Sequence, residues 1–302
     1  MRPRIVIHGG VDSAGTPDAL RGLERAAAVG YAALERGGEA VAAVEAAVRV
    51  LEENPVFNAG FGSVLNELGE VETDAAIVDG AMGRFAGVAA LTGVMHPVSV
   101  AAELLRRAPG PVLLAGAGAR RFADELGLGV EELRTSEQLM SWRRAKRGEI
   151  SVSPFTGRLA EIGDTVGAIA LDRAGHLAAA SSTGGVQLKP AGRVGDAAVF
   201  GAGIYADRRW AALCSGLGEA AIELTLAFRA VERCRQGSDP GEAARWAVGL
   251  LNDRRAVGGI VVFEATTGRV GVAHNATSYP VVEHDPEGLR PVDPSVHPRE
   301  EG

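Results

Sequence analysis

The sequence changes character at Gly163-Asp164-Thr165-Val166-Gly167. Upstream of this segment, residues 142–163 carry few periodic apolar positions, which predicts a connector of unusual length. Downstream of it, residues 165–171 and 177–182 are rich in apolar and β-forming residues and predict two strands joined by a hairpin turn. Thr165 therefore stands where a loose connector meets a strand.

A threonine in this position becomes reactive if the peptide bond between Asp164 and Thr165 is cut. Its hydroxyl can then act as a nucleophile, and its own α-amine, with a pKa of about 7.7–8.0, can act as the base. The cut can be autocatalytic, because the hydroxyl can attack the preceding carbonyl and the resulting ester can be hydrolysed. Asp-Thr pairs are also common in turns, so these residues alone leave a plain turn open.

Composition narrows the class of protein. The chain has 302 residues, 46% of them hydrophobic, and 31 Lys and Arg against 38 Asp and Glu give a net charge of −7. This acidic balance argues against nucleic acid or an anionic membrane as a partner. No apolar run reaches the roughly 20 residues of a membrane span, and the one before His8 is too short for a signal peptide. We therefore expect a cytoplasmic protein.

Periodicity and turn residues predict a layered arrangement of sheets and helices rather than strict βαβ alternation. Further strands are predicted over residues 4–8, 71–78, 87–95, 111–115, 197–200, 258–264 and 270–273, and helices over residues 17–36, 41–53, 98–107, 117–127, 218–235 and 240–252. The tail from Asp285 is rich in proline and charge, which predicts poor order.

Several ordered motifs surround Thr165. They are His8-Gly9-Gly10, Phe57-Asn58-Ala59-Gly60, Asp74–Gly80, Ser181-Ser182-Thr183-Gly184-Gly185, Gly192-Arg193-Val194-Gly195-Asp196 and Gly201–Asp207. Together they closely resemble the plant-type L-asparaginase/isoaspartyl peptidase family of N-terminal-nucleophile (Ntn) hydrolases, over residues 4–275.

The resemblance implies a single α+β domain over residues 1–302, folded as a four-layer αββα sandwich of the Ntn-hydrolase type. It also implies self-cleavage between Asp164 and Thr165, giving an α subunit of residues 1–164 and a β subunit of residues 165–302. The expected activity is hydrolysis of β-aspartyl peptides and L-asparagine without a catalytic cofactor. The expected assembly is a dimer of αβ heterodimers.

The resemblance also assigns roles to individual residues. Thr165 is the expected nucleophile, with Thr183 hydrogen-bonding its hydroxyl and amine and Asn58 helping to hold the amine. Substrate binding is assigned to Arg193 for the α-carboxylate and Asp196 for the α-amine, with Gly185 and Gly216 beside them. The oxyanion is assigned to the hydroxyl of Ser215 and the backbone N–H of Gly216.

A structural sodium ion, seen in many relatives, is expected on backbone carbonyls. These are the carbonyls of Leu51, Glu52, Asn54, Phe57, Ala59 and Phe61.

Some residues depart from the family pattern. Ser215 replaces a threonine but keeps the hydroxyl, and Val11-Asp12-Ser13 replaces a small Ala-Gly continuation. Gln187-Leu188-Lys189-Pro190 leans toward the glycosylasparaginases, so an amidase acting on N4-glycosylated asparagine stays open as the alternative function. A nucleotide-binding or purely structural protein, suggested weakly by Gly116-Ala117-Gly118, is a third hypothesis and predicts no cleavage before Thr165.

Overall fold

The computed structural model describes residues 1–11, 16–129, 132–149 and 165–296. Its helices are α1 (Pro17–Glu35), α2 (Ala40–Glu53), α3 (Pro97–Arg106), α4 (Gly116–Glu125), α5 (Ser136–Lys146), α6 (Gly218–Leu224), α7 (Leu226–Arg235) and α8 (Pro240–Asp253). Its strands are β1 (Arg4–His8), β2 (Thr73–Asp79), β3 (Arg84–Leu91), β4 (Leu113–Ala115), β5 (Val166–Leu171), β6 (Leu177–Thr183), β7 (Ile204–Ala206), β8 (Trp210–Gly216), β9 (Gly258–Glu264), β10 (Val270–His274), β11 (Val281–Asp285), β12 (Gly288–Pro291) and β13 (Ser295–Val296).

Two stacked sheets form the centre of the molecule. In the described part of the chain, the larger sheet has the order β12-β11-β1-β5-β6-β2-β3-β4 and the smaller one β13-β10-β9-β8-β7. One apolar core lies between the larger sheet and helices α1 to α4, a second between the two sheets, and a third between the smaller sheet and helices α6 to α8. These layers confirm the αββα sandwich.

Small residues let the helices pack closely. Gly30 of α1 faces α2, where an added Cβ would lie 3.1 Å from both the carbonyl oxygen of Ala43 and the Cβ of Ala47. The scarcity of aromatic residues, 5% of the chain, fits this construction from Ala, Val and Leu. Thr16 caps α1 by accepting a hydrogen bond from the backbone N–H of Ala19, 3.2 Å away.

Four local predictions were wrong, each for a physical reason. The helix expected over 218–235 is divided at Thr225, which adopts a left-handed conformation (φ +48°). The strand expected over 197–200 is a 3₁₀ turn, because the carbonyl of Asp196 accepts from the N–H groups of Val199 and Gly203.

The other two wrong predictions concern segments rich in charged residues, the connector and the C-terminal tail. The connector predicted from residue 142 begins inside α5, where the indole of Trp142 donates to the carbonyl of Asn66 over 2.8 Å. Residues 150–164 of that connector lie outside the described residues. The first part of the tail predicted to be poorly ordered from Asp285 forms β12, because Arg290 pairs with the buried carboxylates of Glu283 and Asp285. Residues 297–302 of that tail lie outside the described residues.

None of the helices in the described ranges combines the length and the apolar character needed to cross a membrane.

Candidate active site

Thr165 and Thr183 lie side by side at one end of the larger sheet. Thr165 immediately precedes β5, and the antiparallel register that pairs Val166 with Ser182 places it opposite Thr183. On its other side, Thr183 is paired with Asp74 of β2. Thr165 is 3% and Thr183 2% exposed, so a reaction here would be shielded from bulk water. Asp164 lies outside the described residues.

The glycine pair after Thr183 is held by Asn58. The amide Nδ2 of Asn58 donates to the carbonyl of Gly185 over 2.7 Å, and the N–H of Gly184 donates to the carbonyl of Asn58 over 2.8 Å. The N–H of Gly185, which has a φ of +76°, donates to Oγ1 of Thr183 over 3.0 Å. Because Thr183 accepts this bond, its hydroxyl hydrogen can be donated to another group. The predicted contact between Asn58 and the α-amine of Thr165 stays a prediction.

Ser215 belongs to the smaller sheet, at the end of β8, where it is paired with Gly259. Its Oγ accepts a hydrogen bond from the backbone N–H of Val11 over 3.1 Å, so the hydroxyl hydrogen can point elsewhere. Gly216 follows with a φ of +132°, a conformation that favours glycine. Val11 departs from the family pattern, but its backbone N–H still donates to Ser215. Asp12 and Ser13 lie outside the described residues.

Arg193 is fixed by an acidic partner. Its Nε and Nη2 donate to the two carboxylate oxygens of Glu219 over 2.9 and 2.8 Å. The remaining Nη1 lies against the glycines of the site, 3.2 Å and 2.9 Å from where a Cβ would stand on Gly185 and on Gly195. The guanidinium is thus oriented from one side and keeps donors for a further carboxylate.

Asp196 is a buried carboxylate beside this guanidinium. It is 3% exposed, and within the described ranges its Oδ2 has no hydrogen-bond partner. Burial raises the pKa of Asp196 to about 7, and the positive charge of Arg193 partly opposes this shift. Gly218 leaves room here, since a Cβ on it would lie 2.9 Å from Oδ1 of Asp196. An ammonium ion is the kind of group that would satisfy the unpaired oxygen.

His8 borders the same region without charge. It is buried against Gly167, and its ring centroid lies 5.5 Å from that of Tyr279. Burial lowers the pKa of His8 to about 3, so the imidazole is neutral at physiological pH. His8 therefore contributes no titration step near neutrality.

Three charged residues near the site were not assigned a role from the sequence: Asp74, Lys189 and Glu219. Asp74 and Lys189 are fully buried, and Glu219 orients Arg193. For Asp74 a signal existed, because a carboxylate inside the apolar strand Thr73–Asp79 has to be paired or hydrogen-bonded. Gly116-Ala117-Gly118 begins α4, next to the edge strand β4 and not at the strand ends that carry Thr165 and Ser215.

The sequence is similar to those of known proteins over most of its length. The profile of a family described as asparaginase matches residues 1–288. A plant-type L-asparaginase of Pyrococcus horikoshii is 40% identical over 289 residues, covering 90% of this chain and 92% of the relative. Isoaspartyl peptidase/L-asparaginases are similar too: that of Danio rerio is 39% identical (87% of this chain, 86% of the relative) and that of Homo sapiens 40% identical (88% of each).

Proposed function

The chain belongs to the asparaginase family, and on that premise we propose that it is an autoprocessing amidohydrolase that releases L-aspartate from β-aspartyl peptides and L-asparagine. The observation that carries the proposal is the place of Thr165: a buried threonine at the start of a central strand, directly beside Thr183. Such a residue becomes an N-terminal nucleophile once the bond before it is cut.

Maturation would use the hydroxyl of Thr165. Its oxygen attacks the carbonyl carbon of Asp164, the C–N bond breaks, and the nitrogen becomes the free α-amine of Thr165. Water then hydrolyses the resulting ester and restores the hydroxyl. The products are an α subunit of residues 1–164 and a β subunit of residues 165–302, which remain in one fold because β5 and β6 pair with β1 and β2.

Substrate hydrolysis would use the same oxygen. The α-amine of Thr165 takes the hydroxyl proton as the oxygen attacks the side-chain carbonyl of the substrate. The developing oxyanion accepts hydrogen bonds from the hydroxyl of Ser215 and the N–H of Gly216. The amine leaving group departs with the proton, and water cleaves the aspartyl ester on Thr165 to release L-aspartate.

Recognition of the substrate would depend on its two charged groups. The α-carboxylate would bind the guanidinium of Arg193, which lies beside Gly185, and the α-ammonium would bind the carboxylate of Asp196. Gly216 is proposed to lie beside the bound substrate. Both protein groups are largely buried, which strengthens each interaction relative to water.

Arg193→Lys is expected to raise the KM for L-asparagine about 10- to 100-fold, because an ammonium cannot form the bidentate pair that a guanidinium offers. The value of kcat should change by less than about threefold if the lost contact is equal in the ground and transition states. Steady-state kinetics of the cleaved protein measure both. Arg209→Lys, at the far end of β8, is the matched control and should leave KM unchanged.

The pH profile should show the raised pKa of Asp196. Below pH 7 a growing fraction of its carboxyl is protonated and cannot accept the substrate's ammonium, so kcat/KM should fall with decreasing pH. The α-amine of Thr165, with a pKa of about 7.7–8.0, adds a second step in the same direction, since it must be neutral to act as base. Asp196→Asn should remove the step near pH 7 and keep the other. A kcat/KM that is constant between pH 5 and pH 7 would contradict the assignment.

A sodium ion is proposed for the loop that carries Asn58. Backbone carbonyls of Leu51, Glu52, Asn54, Phe57, Ala59 and Phe61 would hold it, and its charge would stiffen the loop. The loop fits such a group at Gly60, where a Cβ would lie 2.6 Å from the carbonyl oxygen of Glu52 and would also meet that of Met95. Gly60 thus lets two backbone carbonyl oxygens, those of Glu52 and Met95, approach one another at this loop.

The alternative substrate, N4-glycosylated asparagine, is the weaker one, because the named relatives are asparaginases and isoaspartyl peptidases. Release of aspartate from L-asparagine, a β-aspartyl dipeptide and glycosylated asparagine tests the proposal directly. We expect the first two to be hydrolysed. Hydrolysis of the glycosylated substrate in preference to both would overturn the proposal.

We also propose a cytoplasmic location and an assembly of two αβ heterodimers. Light scattering on the cleaved protein tests the assembly, which should have twice the mass of the 302-residue chain.

A further inference from the structure

Residues 184–195 form a loop without helix or strand, and Asp196 follows it directly. This loop carries Arg193, so it and Asp196 supply the groups proposed to bind the substrate. It is attached to residues 65–74 by backbone hydrogen bonds. The N–H of Leu188 donates to the carbonyl of Leu65 over 2.9 Å, and the N–H of Glu67 donates to the carbonyl of Lys189 over 2.8 Å. The position of Arg193 therefore depends on how firmly residues 65–74 hold this segment.

Lys189 is the centre of this attachment. Its side chain is 0% exposed, and Nζ donates to the backbone carbonyl of Glu72 over 2.8 Å. Nζ also lies 3.1 Å from where a Cβ on Gly185 would stand, so it is packed against the backbone of the glycine that follows Gly184. Burial lowers the pKa of Lys189, and the negative charges of Asp74 and Glu72 oppose that shift. A buried cation without such partners would be strongly destabilising.

Two carboxylates hold the backbone on either side of Arg193. The N–H of Gly192 donates to both carboxylate oxygens of Glu72 over 3.2 and 3.0 Å. The N–H of Gly195 donates to Oδ2 of Asp74 over 2.8 Å, while Oδ1 of Asp74 accepts from Ala90 over 2.8 Å. Asp74 is also paired with Thr183 in the sheet. Asp74 of β2 therefore contacts both Thr183, which lies beside the proposed nucleophile, and the loop that carries Arg193.

We infer that Lys189, Glu72 and Asp74 are positioning residues that place Arg193 and Asp196 for the charged groups of the substrate. Lys189 anchors its own loop to the backbone carbonyl of Glu72. The carboxylates of Glu72 and Asp74 fix the backbone N–H groups of Gly192 and Gly195, on either side of Arg193. The inference rests on the proposed function, since it concerns binding of an α-amino acid head group. The three residues would thus contribute to specificity for the α-amino acid head group, whereas bond cleavage takes place at Thr165.

Glu72→Ala and Glu72→Gln form the first test. Alanine leaves the N–H of Gly192 without its acceptor, whereas glutamine keeps an acceptor oxygen. We expect Glu72→Ala to raise the KM for L-asparagine about three- to tenfold with kcat within twofold, and Glu72→Gln to restore KM to within twofold of the wild-type value. Equal KM values in both variants and the wild type would overturn the inference.

Lys189→Met is the second and more severe test. Methionine has a similar length but no charge and no donor, so the segment loses its anchor and Asp74 loses a nearby cation. We expect KM to rise tenfold or more and the inhibition constant of the product L-aspartate to rise by a similar factor, with kcat within about threefold. Arg209→Met, which removes the partner of the buried Glu264 at the far end of β8, is the control and should leave KM unchanged.

The outcomes separate the inference from the proposed function. A wild-type protein that hydrolyses neither L-asparagine nor a β-aspartyl dipeptide overturns the proposed function and the inference with it. An active wild type combined with a Lys189→Met protein that keeps its KM, or loses kcat only, overturns the inference alone. If Lys189→Met does not fold, the two Glu72 variants decide the question.

Discussion

Thr165→Ala is expected to leave the chain as a single 302-residue polypeptide with no measurable release of aspartate. The substitution removes the oxygen that would attack the Asp164 carbonyl and the substrate, so maturation and turnover are lost together. Removing a nucleophile from a hydrolase of this kind costs about 10⁴-fold or more in kcat. A denaturing gel and an assay of aspartate release measure the two effects independently.

Thr165→Ser is the matched control, because serine keeps the hydroxyl and loses one methyl group. It should retain cleavage and hydrolysis at reduced rates. Two subunit bands in Thr165→Ala, or full activity without a cut, would contradict the role given to Thr165. Thr165 immediately precedes β5, and alanine is smaller than threonine and introduces no clash there, so the alanine variant should keep the fold.

Ser215→Ala is expected to lower kcat by about 10²–10³-fold, the usual cost of removing one oxyanion donor. The KM for L-asparagine should change little, because Arg193 and Asp196 are proposed to bind the ground state. The Oγ of Ser215 accepts from the N–H of Val11, so its hydroxyl hydrogen is available to donate to the oxyanion. Kinetics should be normalised to the cleaved fraction, since the same donor could assist maturation.

Ser215→Thr provides the control for this variant. Threonine restores the hydroxyl and the residue of the family pattern, so kcat should stay within about threefold of the wild-type value. A Ser215→Ala protein with kcat within threefold of wild type would contradict the oxyanion role.

The αββα fold and the proposed nucleophile were implied by the family resemblance of the motifs around Thr165, because the local pattern predicted only layered sheets and helices and left Asp164-Thr165 open as a turn. The sequence predicted the two strands over residues 165–171 and 177–182 and the turn at Asp172–Gly175, and the structure adds the register that places Thr165 opposite Thr183. The motifs extending from His8 to Asp207 then identified the family, which the comparisons confirm.

What the sequence did not predict depends on contacts between distant segments. Glu219 reaches Arg193 across 26 positions, and Asp74 reaches Gly195 across 121. The spacing of apolar residues along the chain does not predict such long-range hydrogen bonds. Two local features were missed for different reasons. Thr225 is a non-glycine residue in a glycine-like conformation, and the hairpin of β11 and β12 lies in a charged segment whose ion pairs to Arg290 a composition argument does not show.

Cleavage of the wild-type chain before Thr165 is measured by its intact mass under denaturing conditions. We expect two polypeptides, residues 1–164 and residues 165–302, the second beginning with a free Thr165. A single 31.1 kDa chain that hydrolyses L-asparagine at full rate would contradict this expectation.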